Sequence, residues 1–256
     1  MVGKGWTHEQ LLVAFWLYCQ LPFGKLHANN SLIIQFAQHI GRTPSALAMK
    51  LVNIASLDPA ITSTGRKGLD GASQADRKMW VEMQSDWDAF ATQSAAAVAA
   101  LGVGSEALEE SAEGDEPDPS YIGRTKPVIS QARVGQSFFR RAVLSAYDDK
   151  CCITGWNNSR MLVASHIVPW RADAVNRLNP RNGLSLSVLH DKAFDLGWLT
   201  ISEDFKVKIS KAFHAQGNAF FSHAFADYDG CAIALPKKFA PSQEFLAYHR
   251  EHIFRE

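Results

Sequence analysis

The chain has 256 residues, 46% hydrophobic and 20% charged, which is enough apolar material for one large or two small cores. Its 26 Lys and Arg balance 26 Asp and Glu, but unevenly. Residues 1–90 carry 8 basic and 7 acidic groups, 91–123 carry 7 acids and no base, and 124–256 carry 18 basic and 12 acidic groups. Overall neutrality therefore does not argue against an anionic partner for the C-terminal part. No apolar run approaches the roughly 20 residues that span a bilayer, and the N-terminus lacks the basic-then-apolar layout of a signal peptide. Four cysteines, two of them adjacent at Cys151 and Cys152, neither frame a disulfide scaffold nor supply a CxxC pair for zinc. The expectation is a cytoplasmic protein with no membrane association and no structural zinc.

Residues 6–90 read as helical. Thr7 and Gln10 form a T-x-x-Q capping box opening a helix with Leu11, Leu12, Phe15 and Cys19 on one face. After a loop at Pro22-Phe23-Gly24-Lys25, a second helix starts near Asn30 or Ser31, carries Ile33, Ile34, Phe36, Ala37 and Ile40, and stops at Gly41. Thr43 caps a third helix with Pro44 in its first turn. Leu47, Leu51 and Ile54 give that helix its buried stripe and leave Ser45, Met49, Lys50 and Asn53 on the other side. Ala37, Gly41 and Leu47 have the spacing of a helix-turn-helix, in which the third helix reads a DNA groove through Ser45, Met49, Lys50 and Asn53. An ordinary helical hairpin shows the same pattern, and the near-zero charge of this region weakens the DNA reading.

The stretch 91–123 opens Ala-rich, extending the preceding helix, and becomes acidic and Pro-containing up to Asp115-Glu116-Pro117-Asp118-Pro119. Low hydrophobicity and one-sign charge predict a flexible linker. Its acids either form a solvated spacer or mimic a polyanion over the basic C-terminal part.

Beyond the linker, residues 136–147 suit a helix burying Phe139, Val143 and Tyr147 and exposing Arg140 and Arg141. Short β-like runs lead through Met161-Leu162-Val163-Ala164 into Ser165-His166. A loop with Arg171, Arg177 and Arg181 follows, then a short helix from Ser187 to Phe194, a hairpin from Trp198 to Ile209 and a last helix from about Ser242 to Phe254. His166 at a strand end, Asn182 closing the Arg-bearing loop and His190 on the next helix suit phosphodiester hydrolysis. An imidazole deprotonates water near neutral pH, a hard divalent ion offsets the developing negative charge, and an Asn pins the loop.

Three segments carry a resemblance: Ala164-Ser165-His166-Ile167-Val168-Pro169-Trp170, Arg177-Leu178-Asn179-Pro180-Arg181-Asn182-Gly183-Leu184, and Leu189-His190-Asp191-Lys192-Ala193-Phe194-Asp195. Together they resemble the HNH nucleases of the ββα-metal fold, most closely the branch associated with restriction endonucleases. The flank from Arg133, Gln136, Phe139 and Arg140 through Cys151-Cys152-Ile153-Thr154-Gly155 resembles that branch too.

Together with the residue patterns, the resemblance leads to the expectation of an α+β chain: a helical, helix-turn-helix-like domain over 1–90, a linker over 91–123 and an HNH domain over 124–256 with its core at about 130–210. It implies a metal-dependent endonuclease acting on double-stranded DNA with Mg²⁺ or Mn²⁺. His166 would be the general base, Asn182 its orienting residue and His190 the metal ligand. Arg133, Gln136, Arg140, Arg171, Arg177 and Arg181 are candidate DNA contacts. Two departures stand out. Ser165 occupies the place of an Asp ligand found in many HNH sites, and either Asp191 or Asp195 would be the second ligand. Neighbours on a helix point about 100° apart, so His190 and Asp191 do not share a direction. A DNA-binding protein with a degenerate nuclease domain, and a nuclease for RNA or single strands, are the competing readings. Whether two chains pair to cut both strands stays open.

Overall fold

The computed structural model describes residues 5–63, 71–102, 126–214 and 218–256, with the backbone alone for 126–133 and 214. The acidic run expected as a linker lies outside the described residues. Among the described residues, no helix is long and apolar enough to cross a membrane.

Helix α1 (His8–Gln20) starts at the expected capping box: Thr7 Oγ1 accepts from Gln10 N–H, and Gln10 Oε1 accepts from Thr7 N–H, both at 3.2 Å. Its sequence is apolar nearly all round, and every residue from Leu11 to Gln20 is buried rather than a single face. Helix α2 (Ser31–His39) is capped by Asn30. It turns through Gly41, at φ +66°, a left-handed conformation that glycine adopts without steric cost. Helix α3 (Pro44–Ala55) begins at the Thr43 cap, burying Leu47, Leu51 and Ile54. A short α4 (Pro59–Thr62), α5 (Gln74–Ser85) and α6 (Trp87–Ala100) complete the helical region.

One expectation about α3 is corrected. Ser45 and Met49 are exposed, but Lys50 is only 5% exposed and its ammonium donates to both carboxylate oxygens of buried Asp76, at 2.7 and 2.9 Å. Asp76 also closes the Ser73 capping box that starts α5. Helix α5 thus covers the side of α3 that Lys50 occupies, and the lysine serves packing rather than an external contact.

The C-terminal half is mixed, so the fold class is α+β. A long helix α7 (Lys126–Ala146) precedes an antiparallel pair, β1 (Leu162–His166) and β2 (Gly183–Ser187), in which His166 faces Gly183 and Ser165 faces Leu184. Helix α8 (Val188–Asp195) follows β2 directly, capped by Ser187. A second pair, β3 (Leu199–Ile201) and β4 (Val207–Ile209), leads to α9 (Lys211–His214), α10 (Ala219–Ala224) and α11 (Gln243–His252). One hydrophobic cluster of buried side chains includes members of both halves.

The halves meet at the C-terminal end of α1. Fully buried Lys238 donates to the carbonyls of Tyr18, Cys19 (3.2 Å) and Leu21 (2.7 Å), and Ser145 Oγ donates to Cys19 O at 2.6 Å. Carbonyls at a helix C-terminus lack intrahelical donors and carry partial negative charge, so a buried ammonium suits them. Asp58, which caps α4, accepts from Phe239 N–H at 2.8 Å. The Phe239 ring packs edge-on to Tyr18 and Trp87, at 5.4 and 5.6 Å.

Candidate active site

The β1–β2 pair carries a long loop, 167–182, braced by its own side chains. Asp173 accepts from Val175 N–H, Asn176 N–H and Asn176 Nδ2, and Asn176 Oδ1 accepts from Asn179 Nδ2 at 2.9 Å. Asn182, 1% exposed, closes the loop. Its Oδ1 accepts from Val168 N–H at 2.8 Å, and its Nδ2 donates to Val168 O and Asn176 O at 3.2 and 3.3 Å. The Asn182 side chain bonds to Val168 and Asn176 rather than to His166, and so ties together the two ends of the loop that begins at His166.

His166 ends β1 with its ring stacked flat on Phe139 of α7, centroids 3.8 Å apart and planes 10° apart, while Trp170 meets it edge-on at 5.5 Å. Gly183, its partner across the strands, leaves room for that stack, because a Cβ there would collide with Val143 and lie 2.9 Å from Phe139. The Arg177 carbonyl faces His166 Nε2 at 2.9 Å and can only accept, so Nε2 carries the proton and Nδ1 is left as the acceptor. Burial lowers the His166 pKa to about 4, against the raising effect of that hydrogen bond, so the ring is neutral at physiological pH.

A cleft of about 460 Å³ opens beside His166. Three structural elements wall it: Val163 to His166 with Pro169 and Trp170, then Asp191 and Asp195 of α8, and finally His249 and Ile253 at the C-terminal end. Asp191 and Asp195 are one helical turn apart and therefore share a face. Burial and the nearby Asp191 carboxylate push the Asp195 pKa up to about 6. Ser165 is 2% exposed, and among the described residues its Oγ has no hydrogen-bond partner.

His190 is not brought to this cleft. It is 4% exposed, its ring lies against Phe225 and Tyr228, and both nitrogens are engaged. Ser187 Oγ lies 2.7 Å from Nδ1, and Nε2 faces Ala224 O at 2.9 Å. The 100° step along α8 decides between neighbours: Asp191 lines the cleft, and His190 turns into the packing against the segment after α10. The expectation of His190 as a metal ligand is corrected accordingly.

The candidate DNA contacts separate in the same way. Arg140 donates to Leu162 O (2.8 Å) and Ser159 O (3.1 Å), bracing the start of β1. Arg181 Nε donates to Ala240 O at 3.3 Å. Arg177 Nε donates to Trp170 O at 3.0 Å, with the guanidinium 5.6 Å from the Trp170 ring centroid. Arg171 is exposed on the loop, Gln136 is half-buried on α7, and the Arg133 side chain lies outside the described residues. In the helical region Asn53 is half-buried, with its Oδ1 buried and unbonded. Sequence reasoning passed over His249 and Ile253 as cleft residues, since nothing local in α11 marks them. The i, i+4 spacing of Asp191 and Asp195 was the available signal for a carboxylate pair.

A hairpin with a braced loop, an imidazole at the strand end and a helix laid behind it are now in place. A family model described as HNH endonuclease matches residues 151–202. Residues 151–202 are thus similar to an HNH endonuclease domain. A comparison with curated proteins returned no match. The matched segment supports a nuclease in general terms, and HNH nuclease domains imply a nucleic-acid substrate. The matched segment contains β1, the loop, β2, α8 and β3, whereas Phe139, His249 and Ile253, which complete the surroundings of His166 and the cleft, lie outside it.

HNH nucleases generally use a divalent metal. Among the described residues no three His, Cys, Asp or Glu side chains converge on one point. The residues nonetheless fit a hard cation: two carboxylates share one cleft with a buried hydroxyl, and a divalent ion would offset both the burial and the Asp191 repulsion that raise Asp195.

Proposed function

We propose that the protein is a metal-dependent endonuclease of double-stranded DNA, with His166 as general base. The observation that carries this reading is the neutral His166 ring, fixed by the Arg177 carbonyl with Nδ1 as its acceptor, in a cleft that also holds Asp191 and Asp195. His166 takes the proton of the attacking water at Nδ1. Phe139, Trp170 and the Arg177 carbonyl hold the ring against rotation, and Asn182 holds the loop that supplies that carbonyl. Asp191 and Asp195 would hold Mg²⁺ or Mn²⁺, with waters and phosphate oxygens completing the shell. When bound, the cation supplies positive charge against the phosphorane and the leaving oxygen.

Arg171 and Arg177 are proposed phosphate contacts, and Ser45 and Met49 are the exposed groove-facing positions of α3. The restriction role, including action on DNA with modified bases, is supported by the resemblance of 164–195 to that branch and rests there.

The test compares cleavage of plasmid and phage DNAs, unmodified and base-modified, in EDTA, Mg²⁺ or Mn²⁺. His166→Ala should lower cleavage on the order of 10²–10⁴-fold, and Asp191→Asn should raise the metal concentration required. If no DNA is cut while wild type and His166→Ala bind it alike, the nuclease reading fails and a DNA-binding role takes its place.

A further inference from the structure

The groups proposed for chemistry line only part of the cleft. Beside Ser165 and His249, an apolar stretch completes the lining: Val163 and Ala164 on β1, Pro169 and Trp170 on the loop, and Ile253 just beyond α11. Ile253 is held there by backbone bonds at its own position and just after it, its N–H donating to His249 O at 3.1 Å. Phe254 N–H donates to His249 O and Arg255 N–H to Gly197 O, both at 2.9 Å, and the chain passes so close to Gly197 that a Cβ there would collide with Ile253 O. Trp170 is only half-buried, and it stands edge-on to the proposed base with the Arg177 guanidinium near its ring.

Apolar walls do nothing for a phosphate, and a cleft of about 460 Å³ is in the size range that encloses a small organic group. The moiety always found beside a scissile phosphodiester is a nucleoside, whose base presents an apolar face that stacks on indole rings. We infer that Trp170 and Ile253 hold the nucleoside adjoining the scissile phosphodiester once its base is turned out of the duplex stack, Trp170 as its stacking platform and Ile253 as the apolar wall. This inference deepens the nuclease reading and rests on it. It places one determinant of substrate binding in the C-terminal segment, outside the matched HNH residues.

The test measures binding in EDTA, so that no cleavage is needed. Two fluorescein-labelled probes are compared by anisotropy: a 12-residue oligothymidylate and a 12-residue backbone of abasic residues with the same phosphate charge. Wild type should prefer the base-bearing probe by about 5- to 100-fold, the range one stacked base supplies. Trp170→Ala should erase most of that preference, Ile253→Ala should reduce it, and Trp170→Phe, which keeps an aromatic face, should retain it. Equal binding of both probes by wild type would overturn the inference. So would a Trp170→Ala variant that loses affinity for both probes alike. Base-selective binding that depends on Trp170, in a protein that cuts no DNA, would uphold the contact while the catalytic reading fails.

Discussion

His249 shows how a single buried side chain sets a pH limit. It is 1% exposed, stacked on Phe194 at 3.6 Å, with Nδ1 against Thr200 Oγ1 at 2.8 Å and Nε2 facing Phe194 O at 3.1 Å. Burial pushes its pKa down to about 4, so the folded protein keeps the ring neutral where the unfolded chain, near 6.5, already takes a proton. The unfolded state therefore binds more protons between about pH 6.5 and 4. This contribution to stability is complete above that window and is lost as pH falls through it, by about 3 kcal/mol at most. Urea unfolding at pH 7.5 and pH 5 should show wild type losing more stability on acidification than His249→Gln. Equal losses in the two proteins would mean that His249 is not held neutral.

At the scale of elements, the hairpin and the two helices that sandwich it place the base. Gly183 is the residue where β2, α7 and the His166 stack come together, and it has no space for a side chain. Gly183→Ala should push Phe139 away from His166 and cost about 1–3 kcal/mol through overpacking. Its more diagnostic effect should be on chemistry: kcat for DNA cleavage falls while KM changes little, because the disturbed group acts on the water rather than on DNA binding. A kcat unchanged by this substitution would show that the stack does not orient the base. Helix α8 works by periodicity, presenting Asp191 and Asp195 to the cleft and His190 to the interior, so its two faces separate a candidate metal site from a packing role.

Across the whole molecule, the C-terminal end of α1 is where the halves are joined. Lys238 donates to three backbone carbonyls there, and a nonpolar replacement removes that donor from the Tyr18 and Leu21 carbonyls while Cys19 O keeps Ser145 Oγ. Lys238→Met should therefore destabilise the protein by about 3–5 kcal/mol. The shared core leads to the expectation that helical circular dichroism and tryptophan fluorescence report one coincident urea transition in wild type. Two separated transitions would show that the helical region and the HNH half unfold independently.

Local chemistry made much of this legible in advance. Thr7 and Thr43 as caps, a helix start near Asn30 or Ser31, Gly41 in the turn, and the β-like run into Ser165-His166 depend on neighbours within a few residues, so their outcomes could be read along the chain. The fold class and the HNH segment followed from such patterns together with the resemblance of three motifs. Other properties depended on contacts between distant residues. Lys50 looked like a groove-facing cation until Asp76, 26 positions away, buried it. His190 looked like the metal ligand, with Asp191 or Asp195 second to it, until the packing of α8 against β2 and the segment after α10 turned His190 inward and Asp191 to the cleft. His249 and Ile253 join the cleft only because Gly197 lets the C-terminal chain pass close to α8. The sequence determined which side chains could act and where helices and strands begin, because those are short-range properties. Tertiary structure alone decided which side chains meet, because burial and helix rotation depend on partners far along the chain.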